Sequence, residues 1–139
     1  MTRDNEYYAY FTVVGEFNPS EITERIGLLP TDCWMKGDRN EKTHMERKFS
    51  RWSLYSRLDR SASLEEQLTD VIEQLEPFGD KVRLLREEKL SAHIELVGHF
   101  YIDFPGLVFE SSTISRLAAL DLGFDCDFYY MYSDKREDS

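Results

Sequence analysis

A chain of 139 residues is long enough for one hydrophobic core and too short for two. Its 41% hydrophobic and 14% aromatic content rules out a disordered acidic tail. The formal net charge of −10, from 27 acidic against 17 basic side chains, argues against a nucleic-acid partner, since phosphate binding is built on clustered Lys and Arg.

Met1-Thr2-Arg3-Asp4-Asn5 leads into strand-like sequence without the apolar core of a signal peptide, and no apolar run approaches the ~20 residues of a membrane span. A cytoplasmic protein without membrane contact is expected. Tyr7 to Phe17 predicts a long first strand, because it is aromatic and β-branched and its odd positions Tyr7, Ala9, Phe11, Val13 and Phe17 are apolar. Asn18 supplies a cap, Pro19 the first helical position and Pro30 the stop of a helix over 19–28, with Ile22, Ile26 and Leu29 on one face. A short strand around Cys33-Trp34-Met35 precedes a polar loop from Gly37 to Lys48. Phe49 to Arg57 recovers strand character, with Trp52 and Leu54 facing one way and Arg51, Ser53, Tyr55 and Arg57 the other.

Ser63 and Glu66 have the spacing of a capping box ahead of the stripe Leu64, Leu68, Val71, Ile72 and Leu75. Pro77 and Gly79 end that helix, and Val82, Leu84 and Leu85 anchor one or two further turns over 81–88. Leu90 to Ile102 alternates cleanly. Ala92, Ile94, Leu96, Phe100 and Ile102 share one face, and His93, Glu95, Val97, His99 and Tyr101 the other. Ser111 or Ser112 caps a third helix carrying Ile114, Leu117, Ala118 and Leu120, Gly123 stops it, and Phe124 to Tyr132 is the last strand.

Val14-Gly15-Glu16-Phe17 and Val97-Gly98-His99-Phe100 end the two long strands alike, and each is followed by a helix and a strand, which suggests two pseudo-repeated βα-β halves. Helices with one apolar stripe each should cover one face of a mainly antiparallel sheet of about five strands. The expected fold is α+β, of ferredoxin-like kind, a single domain over 1–132 with a frayed charged tail over 133–139.

The uncovered sheet face would then present Tyr8, Tyr10, Tyr55, His93, Glu95 and His99, with Asp125, Asp127 and Tyr129 beyond them. Tyrosine with interspersed charge suits a protein interface or a ligand platform. His93 and His99 lie about 20 Å apart on an extended strand and cannot share a metal. Asp125 and Asp127 could flank a cation, but paired acids at this spacing are more often solvated. No nucleophile is tied to a base by a motif, and there is no phosphate loop or zinc motif, so no catalytic residue, metal or cofactor is expected. Cys33 and Cys126, far apart and without CxxC spacing, are expected as buried free thiols. Between Lys36 and Arg60 eight basic residues face four acidic ones, a local excess of positive charge in an acidic chain.

The order Tyr10-Phe11, Val13, Gly15, Phe17, Pro19, Ile22-Thr23, then Leu28, Pro30-Thr31, Trp34 and Lys36-Gly37-Asp38, resembles a bacterial domain-of-unknown-function family, the one numbered four thousand two hundred and seventy-nine. The likeness continues through Arg51-Trp52-Ser53-Leu54, Leu75-Glu76-Pro77, Ser115 to Leu122 and Phe124-Asp125-Cys126-Asp127. It implies fold and bacterial origin, and no activity. It directs attention to Trp34, Lys36, Asp38 and the pair Arg51-Trp52 as a candidate site.

Two functions are expected to compete. One is a non-catalytic binding protein that engages another protein or its own copy, an immunity-type protein neutralising a cationic toxin being one version. The other is an enzyme or binder of a small anionic ligand, with Lys36 and Arg51 holding the anion between Trp34 and Trp52.

Overall fold

Parity decides the layering. In the computed structural model, which describes residues 3–88 and 90–132, the first long strand β1 (Glu6–Gly15) pairs antiparallel with the second, β4 (Ser91–Phe100), so that Ala9, Phe11 and Val13 stand opposite Leu96, Ile94 and Ala92. The odd apolar residues of one strand and the even ones of the other therefore share one side, and all six are buried. On its other edge β1 pairs antiparallel with β3 (Ser50–Tyr55), which itself pairs with the short β2 (Asp32–Trp34). Trp52 and Leu54 join the same apolar side. The last strand, β5 (Phe124–Tyr130), runs parallel to β4. The sheet thus has five strands in the order β2-β3-β1-β4-β5 and is mixed, because the helix between β4 and β5 carries the chain back to start the next strand in the same direction.

Among the described residues four α-helices supply the other layer: α1 (Pro19–Ile26), α2 (Leu64–Leu75), α3 (Gly79–Leu85) and α4 (Ser111–Ala119). Their buried residues, Ile22 and Ile26, Leu68 and Ile72, Val82 and Leu85, and Leu117, enter one core with the apolar sheet side. Asn18 caps α1 as its sequence predicts, but Gly27 in the left-handed region (φ 92°) ends the helix before Pro30 is reached. The Ser63–Glu66 capping box forms at the start of α2. Pro77 and Gly79 do not separate the next helix widely: a single 3-10 turn over Glu76–Phe78 leads directly into α3, whose Leu84 is exposed rather than anchoring.

Neither serine caps α4. Glu110 stands at its cap position without a side-chain bond, and Glu65 of α2 closes the end instead, accepting from the Glu110 N–H and the Thr113 hydroxyl, both at 2.8 Å. Asp121 in the left-handed region (φ 59°) makes the exit turn expected of Gly123. Ile114 and Ile102 are exposed, the latter because β4 ends at Phe100. Gly98 is a packing position: a Cβ there would lie 2.9 Å from Cζ of Phe100, whose ring folds over it. Strands β1 and β2 are separated by β3, whereas β4 and β5 are neighbours, so the two similar strand ends lead into different connections. Residues 133–139, expected as a frayed tail, lie outside the described residues.

Candidate functional site

The side of the sheet away from the helices carries the even positions of β1, and register then dictates what stands beside them. Tyr10 lies between Tyr55 of β3 and Glu95 of β4, with Asp125 of β5 beyond Glu95. Thr12 lies between Ser53 and His93, and Val14 lies between Arg51 and Ser91. Toward the other end, Glu6, His99 and Tyr129 form a row.

The aromatic rings of this face stack. Tyr10 and Tyr55 have centroids 4.6 Å apart, Tyr8 lies 6.0 Å from Tyr55 and 6.1 Å from His99, and His99 lies 5.1 Å from Tyr129, all nearly parallel. Stacked rings on adjacent strands shield one another and the short residues between them, which is why Thr12 is fully buried although no helix covers it. It shares a hydrogen bond with Ser53 at 3.1 Å. Burial, the nearby Glu95 carboxylate and Tyr55 push the Tyr10 phenol up to about 12. Tyr8 and Tyr55 are raised too, again mainly by burial. These phenols therefore remain neutral hydrogen-bonding groups at physiological pH. Arg60 lies over the Tyr8 ring at 4.5 Å and reaches Glu6 at 3.6 Å.

The β4–β5 half of the face is acidic. His93 Nε2 lies 2.7 Å from Glu95 Oε1 and 3.6 Å from Asp125 Oδ2, while Glu95 Oε2 is buried without a hydrogen-bond partner. Burial lifts the Glu95 carboxyl above its ordinary range and Asp127 adds to the effect, with His93 pulling the other way. Among the described residues no Lys or Arg forms an ion pair with Glu95, Asp125 or Asp127. His99 is distant from this group and belongs to the aromatic row, its Nδ1 buried and unpartnered.

The second candidate region divides. Trp34 sits at the β2 edge of the open face, its Nε1 donating to the Phe49 carbonyl at 3.1 Å, and the guanidinium groups of Arg47 and Arg51 lie over its ring at 3.7 and 5.5 Å. With Val14, Met45 and Phe49 they line a cleft of about 330 Å³ beneath the 35–49 loop. Trp52 is not on this surface. As the next residue after Arg51 it points to the opposite side, is fully buried against Phe11 and donates from Nε1 to the Thr23 hydroxyl. Lys36 turns to Glu16, with Nζ 2.6 Å from Oε1, and Asp38 accepts from the Met35 N–H to shape the loop. Arg57 also leaves the expected face and grips Asp70 of α2. Both cysteines are exposed, since β2 and β5 are edge strands that the helices do not reach across.

Sequence reading placed Tyr8, Tyr10, Tyr55, His93, Glu95 and His99 on one face, where the structure has them. It missed the meeting of Asp125 with His93 and Glu95 and the stacking of Arg47 on Trp34. The first was within reach, because a strand–helix–strand passage over 91–130 favours a parallel pair and brings Asp125 beside Glu95. The second depends on a loop without periodicity.

Among the described residues no helix is long and apolar enough to cross a membrane. Comparison with curated proteins and with solved structures finds no match. The model of a family described as a domain of unknown function (DUF4279) matches residues 5–131, and the chain belongs to that family.

Proposed function

We propose that this family member is a non-catalytic binding protein of the bacterial cytoplasm whose open sheet face receives a basic protein partner. The observation that carries the reading is the stacked row Tyr55, Tyr10, Tyr8, His99 and Tyr129, bordered by the carboxylates of Glu95, Asp125 and Asp127, none of which meets a Lys or Arg among the described residues. Rings already held in one geometry lose little freedom on contact, and the adjacent negative field selects Lys- and Arg-rich surfaces. Neutralisation of a cationic toxin in the manner of an immunity protein is the concrete version. The scaffold reads as ferredoxin-like from β1 to β4, with α3 as an addition to the second helix, on the support of the order β2-β3-β1-β4 with β1 and β3 antiparallel at its centre; α4 and β5 extend it. The matching strand ends at Gly15 and Gly98 support a duplicated βα-β ancestry.

The test is affinity for the purified product of the adjacent gene. Tyr10→Ala and Tyr55→Ala should each weaken it by about 2 kcal/mol, as central aromatic anchors do. Unchanged affinity in both variants, or association only between copies of this chain, would overturn the reading.

A second reading rests on the Trp34 cleft, where Arg47 and Arg51 stack on the ring and neither forms an ion pair among the described residues. A small carboxylate or phosphate ligand would fit there, held by the two guanidinium groups, and would make the protein an anion binder or enzyme. Anionic metabolites should then raise the melting temperature, an effect that Arg51→Ala removes.

A further inference from the structure

We propose a divalent transition-metal site on the β4–β5 edge, formed by His93, Glu95 and Asp125. It does not depend on the binding role proposed above.

One ligand atom from each of the three side chains falls within 4.8 Å of the others. The arrangement belongs to the sheet, not to mobile loops. His93 and Glu95 are two apart on β4 and so project from the same side, and the parallel register sets Asp125 directly beside Glu95. The spacing suits an ion. Around a metal held at about 2.0–2.2 Å from each nitrogen and oxygen donor, neighbouring donors stand roughly 3 Å apart. His93 Nε2 lies 2.7 Å from Glu95 Oε1 and 3.6 Å from Asp125 Oδ2, so small side-chain rotations would admit the ion.

Charge and burial point the same way. The Glu95 side chain is only 13% exposed, and its Oε2 is buried without a donor. A buried carboxylate with an unmet oxygen is costly unless a proton or a cation meets it, and no Lys or Arg among the described residues supplies the charge, which leaves the place open to a metal ion. A cleft of about 400 Å³, lined by His93 and Asp125 together with Ser91, Phe124 and Arg86, the last turned to Asp121, opens beside two of the three ligands. An imidazole with two carboxylates favours Zn2+ and its first-row neighbours over Ca2+, which takes six to eight oxygens. Three protein ligands beside an open cleft leave a coordination position for water.

The test uses the full chain carrying Cys33→Ser and Cys126→Ser, because both exposed thiols would otherwise bind the same metals. Titration with Zn2+ and Co2+ should show one saturable equivalent, and bound Co2+ should give visible d–d bands without a thiolate charge-transfer band. Loss of an outer partner alone costs roughly 10–100-fold in metal affinity, so His93→Ala and Asp125→Asn should each weaken binding by at least that much. The Asp125 side chain is 70% exposed, so its substitution tests the site without threatening the fold. Absence of saturable binding at micromolar Zn2+, or binding that both variants retain at full strength, would overturn the proposal.

Discussion

Single side chains on this molecule are placed by what they must satisfy, and Asp70 shows it best. Its side chain is 8% exposed, yet it accepts from the Arg57 backbone N–H at 2.8 Å, from the Arg57 guanidinium at 2.7 Å and from Gln74 at 3.1 Å. Burial pushes the carboxyl up, but these donors outweigh it and hold Asp70 below its ordinary value. A folded-state value below the unfolded one contributes stability that is present above the unfolded value of about 4 and lost as pH falls through the folded one. Unfolding measured by urea between pH 6 and pH 3 should therefore show wild type losing stability on acidification more steeply than Asp70→Asn. At neutral pH Asp70→Ala should cost about 2 kcal/mol, the range of hydrogen bonds to charged groups. Arg57, mostly exposed, can return to water in that variant, so the larger penalty of a stranded buried charge does not apply.

Helices here are tied at their ends as much as along their faces. Ser63 and Glu66 satisfy each other's backbone donors at the start of α2, and Ser63→Ala should lower stability by about 1 kcal/mol in thermal unfolding. The neighbouring Glu65 acts on a different helix. Its carboxylate accepts from the Glu110 N–H and from the hydroxyls of Thr113 and Thr69, so one side chain of α2 closes the start of α4. Glu65→Ala should leave α2 intact and loosen α4, seen as faster amide exchange over Thr113–Leu117 with little change over Leu68–Ile72. Strand β5 would follow α4, because among the described residues β4 is its one sheet neighbour.

Over the whole molecule, charge is partitioned. The excess of basic residues between Lys36 and Arg60 is partly consumed within the fold, as Lys36 pairs with Glu16, Arg57 with Asp70 and Arg60 with Glu6. Arg47 and Arg51 remain on Trp34 at one edge of the sheet. The opposite edge holds Glu95, Asp125 and Asp127 within a chain of net charge −10. A basic partner approaching the tyrosine row would feel this field beyond contact distance only while salt is low, since screening acts within about 8 Å at physiological ionic strength. The association rate should thus fall roughly tenfold or more between 50 mM and 500 mM salt, with a smaller change in the dissociation rate, measured by stopped flow or surface capture.

Amino-acid order by itself determined the layering. Period-two alternation in Tyr7–Val13 and Ala92–Phe100 and the apolar stripe of Leu64–Leu75 force burial of one sheet side wherever the neighbours lie, because the strand period admits no other division of faces. Local caps were equally legible where donor and acceptor are close in sequence, as at Asn18 and Ser63. Partners distant in the chain were not. Glu65 displaced the serines as the cap of α4, Asp70 drew Arg57 off the open face, and the parallel β4–β5 pairing brought Asp125 to His93 and Glu95. These outcomes depend on which elements become neighbours in space, and each side chain then takes the contact that best satisfies its charge and hydrogen bonds.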